Sequence, residues 1–148
     1  MSVRVFNGLE VDLPKGWRDY SSLVLAPQED ATTGHRPTIN LVVKRRPKSP
    51  GDDTALVATY LAYLAKSFGP VQSLETKVVP HGKGEATFVR FLGQNEGQPF
   101  LQTTLLYRDG DDEVAATVTQ ALGDPTSDKV VEKLLRSVRP VGGPRRRG

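Results

Sequence analysis

Cysteine is absent from the 148 residues of this chain. That excludes disulfides, thiolate metal sites and cysteine nucleophiles, and nothing calls for an oxidising compartment. Aromatic residues make up only 7% of the chain, too few to build the stacking platforms of single-strand nucleic-acid binders. No stretch approaches the about 20 apolar residues that cross a bilayer. The opening segment, Met1 to Trp17, also lacks the apolar run of a secretory leader. The expectation is a mature chain that starts at Met1, resides in the cytoplasm and does not insert into a membrane. An excess of one charge is missing too. The formal net charge is +3, and Arg145, Arg146 and Arg147 account for it. The remaining body is neutral, unlike the basic face of a nucleic-acid module.

What is present fits one domain with a modest core, at 37% hydrophobic content. We expect a single domain over residues 1–140. The break Gly142-Gly143-Pro144 then leads into a disordered basic tail over 141–148.

Changes of hydrophobic period order the chain. Val3 to Phe6 and Leu9 to Leu13 read as strands around Asn7-Gly8, a pair suited to a tight hairpin because both residues tolerate positive φ. Further strands are predicted over Tyr20 to Ala26 and Thr38 to Lys44, separated by an exposed loop, Gln28 to Pro37. From Asp53 to Phe68 the period becomes helical, with Leu56, Tyr60 and Leu64 in one stripe and Val57 and Leu61 beside it. Asp52 or Asp53 caps that helix, and Gly69-Pro70 stops it. Four strand-like runs follow, Ser73 to Pro80, Glu85 to Leu92, Phe100 to Arg108 and Glu113 to Gln120; their short links imply an antiparallel meander. A last helix, capped by Thr126 or Ser127 and ended by Pro140, places Val130, Val131, Leu134, Leu135 and Val138 on one face. Strands segregated from helices imply an α+β fold: a mostly antiparallel sheet of about six to eight strands with two main helices on it.

Little of this carries reaction chemistry. His35 and His81 are far apart in the chain, without the acid motifs of a triad or a zinc site. Asp109, Asp111, Asp112 and Glu113 lack the spacing of a calcium loop and read as a solvated hairpin turn. Gly82-Lys83-Gly84 is not followed by a helix that would complete a phosphate loop. Lys44, Arg45 and Arg46 read as charges guarding a strand end. No catalytic residue, metal site or cofactor is assigned, and the chain reads as a non-enzymatic binding protein.

Several segments together resemble a known family. Leu13 to Asp19, LPKGWRD, is similar to the LP-x-GW-x-D opening of DcrB-like domains, and Asn40 to Pro47, NLVVKRRP, to their NLVV-x-R-x-P strand. Tyr60 to Glu75 and Ala116 to Val138 resemble the family's helix-to-strand passage and its closing strand and helix. The resemblance implies a PsbP-like fold. With no leader in view, it points to the Eag-type chaperones, cytoplasmic homodimers that hold the apolar, transmembrane-like amino-terminal helices of type VI secretion effectors with spike-tip or Rhs regions before export.

That role requires an apolar groove, and strand alternation suggests where it lies. Leu23 and Leu25, with Ile39, Leu41 and Val43, form one set that covers the helices as core; Ser22, Val24 and Val42 face the other way, toward a client. The resemblance adds Tyr60, where the family's first helix carries a Gln, and Gln102, in place of a second family Gln. It also departs from the family at Arg46, which stands where an aspartate is usual. The alternative reading is a non-catalytic subunit that docks a folded protein partner through its sheet.

Overall fold

The computed structural model describes residues 2–6, 9–16, 22–26, 38–48, 50–69 and 71–139. Two short strands, β1 (Ser2–Phe6) and β2 (Leu9–Leu13), pair antiparallel with Phe6 opposite Leu9. That register spans the two-residue link expected at Asn7-Gly8, which lies outside the described residues. So do the predicted loop Gln28 to Pro37, the histidine His35 and the tail 141–148.

The main body is a six-stranded antiparallel sheet in the order β3-β4-β8-β7-β6-β5. It comprises β3 (Ser22–Leu25), β4 (Ile39–Pro47), β5 (Gln72–His81), β6 (Gly84–Asn95), β7 (Gln98–Asp109) and β8 (Asp112–Ala121). The last four form the expected meander, but each strand runs further into its turn than the apolar pattern indicates. Two-residue turns make this possible: Gly82, Gly97 and Gly110 all have positive φ, and Glu96 shares that conformation at φ 53°. β4 likewise continues through Lys44, Arg45 and Arg46, which pair with Ala115, Val114 and Glu113 instead of ending the strand.

Helix α1 (Asp53–Phe68) begins where the Asp52 carboxylate accepts from Ala55 N at 3.1 Å. It ends where Gly69, at φ 70°, donates its N–H to Ala65 O. Helix α2 (Asp128–Arg136) is capped by the Ser127 hydroxyl on Val130 N. It stops at Ser137, before Pro140, where the bonding tightens: the Ser137 N–H is shared between Lys133 O and Leu134 O, and the Val138 N–H bonds Leu135 O. Its buried face is also narrower than expected. Val131 and Leu135 are buried, whereas Val130 and Leu134 are exposed.

The helices lie on opposite faces of the sheet. Leu56, Tyr60 and Leu64 of α1 pack on Val89, Phe91, Phe100 and Leu106, while Val131 and Leu135 of α2 pack on Leu41, Phe88, Leu105, Ala116 and Val118. Alternate strand residues therefore feed two cores. Of the set expected to cover the helices, Ile39, Leu41 and Val43 pack in the core of α2, whereas Leu25, on the edge strand β3, is exposed, and the side chain of Leu23 lies outside those described.

Candidate groove beside the first helix

The sheet ladder fixes which residues share the face of α1. One rung runs Val24–Val42–Thr117–Thr104 across β3, β4, β8 and β7; the next runs Asn40–Thr119–Gln102–Phe91, and another joins Lys44, Ala115 and Leu106. Ser22 pairs with Lys44 through its backbone, and its side chain lies outside those described. Of the five residues expected to bind a client, four come to one face: Val24, Val42 and Gln102 by strand register, and Tyr60 from the helix above.

α1 covers only part of this face. It rests on β6 and β7 and reaches Ala115 at its margin, and among the described residues no other helix covers the β8-β4-β3 half of this face. A cavity of about 490 Å³ follows the boundary, lined on the helix side by Leu56, Thr59, Tyr60 and Tyr63 and on the sheet side by Val42, Ala115, Thr117 and Gln102. Val24 is 64% exposed and Tyr63 53%, a large apolar area left in contact with water.

The floor carries a polar seam. The Tyr60 hydroxyl lies 2.8 Å from Thr104 Oγ1, which is 2.9 Å from Thr117 Oγ1, while Gln102 Nε2 donates to Thr119 Oγ1 at 3.3 Å. The Tyr60 hydroxyl also reaches Gln102 Oε1, at 3.5 Å. Burial raises the Tyr60 phenol above its ordinary pKa, opposed by its hydrogen bonds to the two threonine hydroxyls. Tyr60 is therefore both core and groove wall: its ring packs in the apolar cluster of α1, and its hydroxyl serves the seam. The threonines were missed in the sequence. Their signal was the period-two run Gln102-x-Thr104 and Ala115-x-Thr117-x-Thr119 in strands whose other face is apolar.

One end of the groove is charged. Lys44 and Arg46 stand at its mouth with Glu113. The acidic run forms the expected hairpin turn, with Gly110 and Asp111 exposed at its tip, but its flanks are paired: Arg46 Nε bonds Glu113, which is only 4% exposed, at 3.0 Å, and Arg45 bridges Asp109 and Asp112. These pairs join β4 to the β7–β8 hairpin, so Arg45 and Arg46 act as cross-strand partners of the acids. His81 takes no part in these pairs; its ring lies against Tyr107 and its Nε2 3.1 Å from Val138 O in the region of the α2 core. Among the described residues, no three His, Asp or Glu side chains gather where they could hold a metal ion. Nor is any described helix long and apolar enough to cross a membrane.

A likeness exists at the level of fold. The chain is similar to the crystal structure of PA94 from Pseudomonas aeruginosa, a protein described as of unknown function and a suggested regulator, with a TM-score of 0.76. The two share 16% identity over 96% of this chain and 98% of that one. No protein-family model and no curated protein matches the chain. At this identity the likeness establishes a shared α+β architecture along nearly the whole chain.

Proposed function

We propose that this chain is a cytoplasmic, non-enzymatic chaperone of the Eag type, DcrB-like with a PsbP-like fold. Its groove beside α1 shields an apolar, transmembrane-like amino-terminal helix of a type VI secretion effector before export. The observation that carries this reading is the room left on the face of α1. Two helices packed side by side lie 8–10 Å apart, about two strand spacings of roughly 4.8 Å. With α1 over β6 and β7, a second helix comes to rest between β8 and β4, on Val42, Ala115 and Thr117. These side chains are small enough to let it approach closely.

The energetics favour such an occupant. An apolar client helix gains roughly 25 cal/mol for each Å² removed from water, and Val24, Val42 and Tyr63 offer apolar surface on either side of it. The Tyr60, Gln102, Thr104, Thr117 and Thr119 seam satisfies its own hydrogen bonds when the groove is empty and offers partners to polar atoms of a client. A homodimer would enclose more of the client than one copy does.

The test is co-expression with an effector segment that carries the apolar helices, followed by pull-down and light scattering. A soluble complex containing two copies of this chain is expected, and it should vanish when the apolar helices are deleted. Capture of folded effector domains without those helices would instead establish a subunit that docks folded partners.

A further inference from the structure

The groove beside α1 has a direction as well as a shape. Its length runs from the rung Arg46–Glu113–Arg108, through Lys44–Ala115–Leu106, to Asn40–Thr119–Gln102–Phe91. α1 follows the same course. Its start is tied to the first of these rungs, where Arg108 donates to Gly51 O, and its last turn sets Phe68 against Phe91 and Phe100. The first-turn N–H groups of α1 therefore lie at the same end of the groove as Lys44 and Arg46.

That end is electropositive. Lys44 is exposed and enters no ion pair among the described residues. Arg46 gives its Nε donor to Glu113, and its guanidinium, 55% exposed, has others to offer. The nearby carboxylates are engaged elsewhere. Glu113 lies against Arg46, Asp52 accepts from Ala55 N, and Asp53 is on the other flank of α1, where it lines a separate cleft with Glu85. Toward the far end the groove is lined by Phe68, Gln102 and Thr119, all neutral. Lys66 sits in the last turn of α1, where it offsets the carbonyl end of that helix, and is not part of the lining.

We propose that the client helix lies antiparallel to α1, with its C-terminal end over Lys44 and Arg46, and that an acidic residue just beyond its last turn marks the segments this groove prefers. This rests on the client reading above and adds to it the polarity of the bound segment.

The reason lies in the backbone. The last four carbonyls of a helix have no partner within it, and together they amount to about half a negative charge. An apolar groove removes the water that would satisfy them, which is costly unless other donors take its place. Lys44 and Arg46 supply those donors, and the positive end of α1 lies beside them. The reverse polarity would set the client's unpaired N–H groups against two cations and against the like end of α1.

The lengths make the polarity measurable. Arg46 and Asn40 are six residues apart on β4, about 20 Å. A helix of about twenty residues with its last residue at Arg46 brings about its seventh residue to Asn40; reversed, it brings about its fourteenth.

The chain has no cysteine, and Asn40 is exposed, so Asn40→Cys introduces a single accessible thiol. The probe is a leucine–alanine helix of about twenty residues with an aspartate pair after its last turn, fused to a cysteine-free carrier and co-expressed with the full chain. Oxidation should crosslink Asn40→Cys to a cysteine placed at about the seventh helix position and not to one at about the fourteenth. Lys44→Glu should lower capture of this probe about tenfold, and a probe with a lysine pair in place of the aspartates should be captured better by Lys44→Glu than by the wild type. Lys129→Glu, on α2 across the sheet, should alter neither, with circular dichroism confirming the fold of each variant. A crosslink at the later position, or at both, overturns the polarity while leaving the client reading in place. So does a Lys44→Glu variant that treats both probes as the wild type does, or a Lys129→Glu variant that loses capture equally. Capture of neither probe by the wild type overturns the client reading and this one with it.

Discussion

The hydroxyl of Tyr60 on α1 stands 2.8 Å from Oγ1 of Thr104 on β7, and both groups are buried. This contact ties the helix to the sheet at the edge of the groove, and Thr104 passes it on to Thr117 on β8. Removing the hydroxyl leaves Thr104 still bonded to Thr117. Tyr60→Phe should therefore cost only about 1 kcal/mol of stability. Urea unfolding monitored by circular dichroism measures it, and a loss several times larger would mean that the seam is a single cooperative network.

Val42 lies at the centre of the groove floor, partly exposed and between Val24 and Thr117 on its rung. Val42→Glu should leave the chain folded, since the carboxylate reaches solvent in the open groove. Capture of an apolar helix should fall about tenfold or more, because a client must then desolvate that charge. Unchanged capture in the pull-down would remove the groove from the proposed function.

Gly93 on β6 sits against the aromatic cluster of Phe68, Phe91 and Phe100. A Cβ at this position would come within 2.7 Å of Phe100 Cζ and 3.0 Å of Phe91 Cε2. Both rings are buried and packed on each other, so neither moves aside freely. Gly93→Ala should destabilise by about 1–3 kcal/mol, read as a lowered urea midpoint with an unchanged slope.

Asp124 accepts from the Thr38 hydroxyl at 2.6 Å and from Thr126 N at 2.9 Å, joining the start of β4 to the approach to α2. The Thr38 bond leads in holding its carboxyl down to about 2, below the ordinary 3.8. A depressed carboxylate stabilises the folded state above pH 3.8, and that contribution is lost as pH falls toward 2. Asp124→Asn should flatten part of the acid limb of stability in this window. An identical acid limb in the variant would show that other carboxylates account for it.

Much of the chain was legible locally. The bounds of α1 follow from Asp52, the Leu56, Tyr60, Leu64 stripe and Gly69, because capping and a 3.6-residue period act within one element. The strands of the meander follow from alternation and their turns. Less legible were their lengths, since Gln98 and Pro99 extend β7 through ladder pairing with Asn95 and Gln94 that polar side chains do not advertise. Strand parity likewise set Val24, Val42 and Gln102 apart from Leu41 and Val43 once the register was known.

By itself the sequence determined the class of this protein: no cysteine, no long apolar run, a neutral body, two amphipathic helices and a set of alternating strands, all properties of composition and period. Only the tertiary structure decided that α1 and α2 take opposite faces and that α1 stops short of β4. It also decided that Glu113 is buried beneath Arg46 while Val130 is left in water. A hydrophobic period reveals which side of an element seeks cover; which neighbour supplies that cover, and how far across the sheet it reaches, depends on long-range pairing of strands distant in the chain. The groove is what remains where that cover ends.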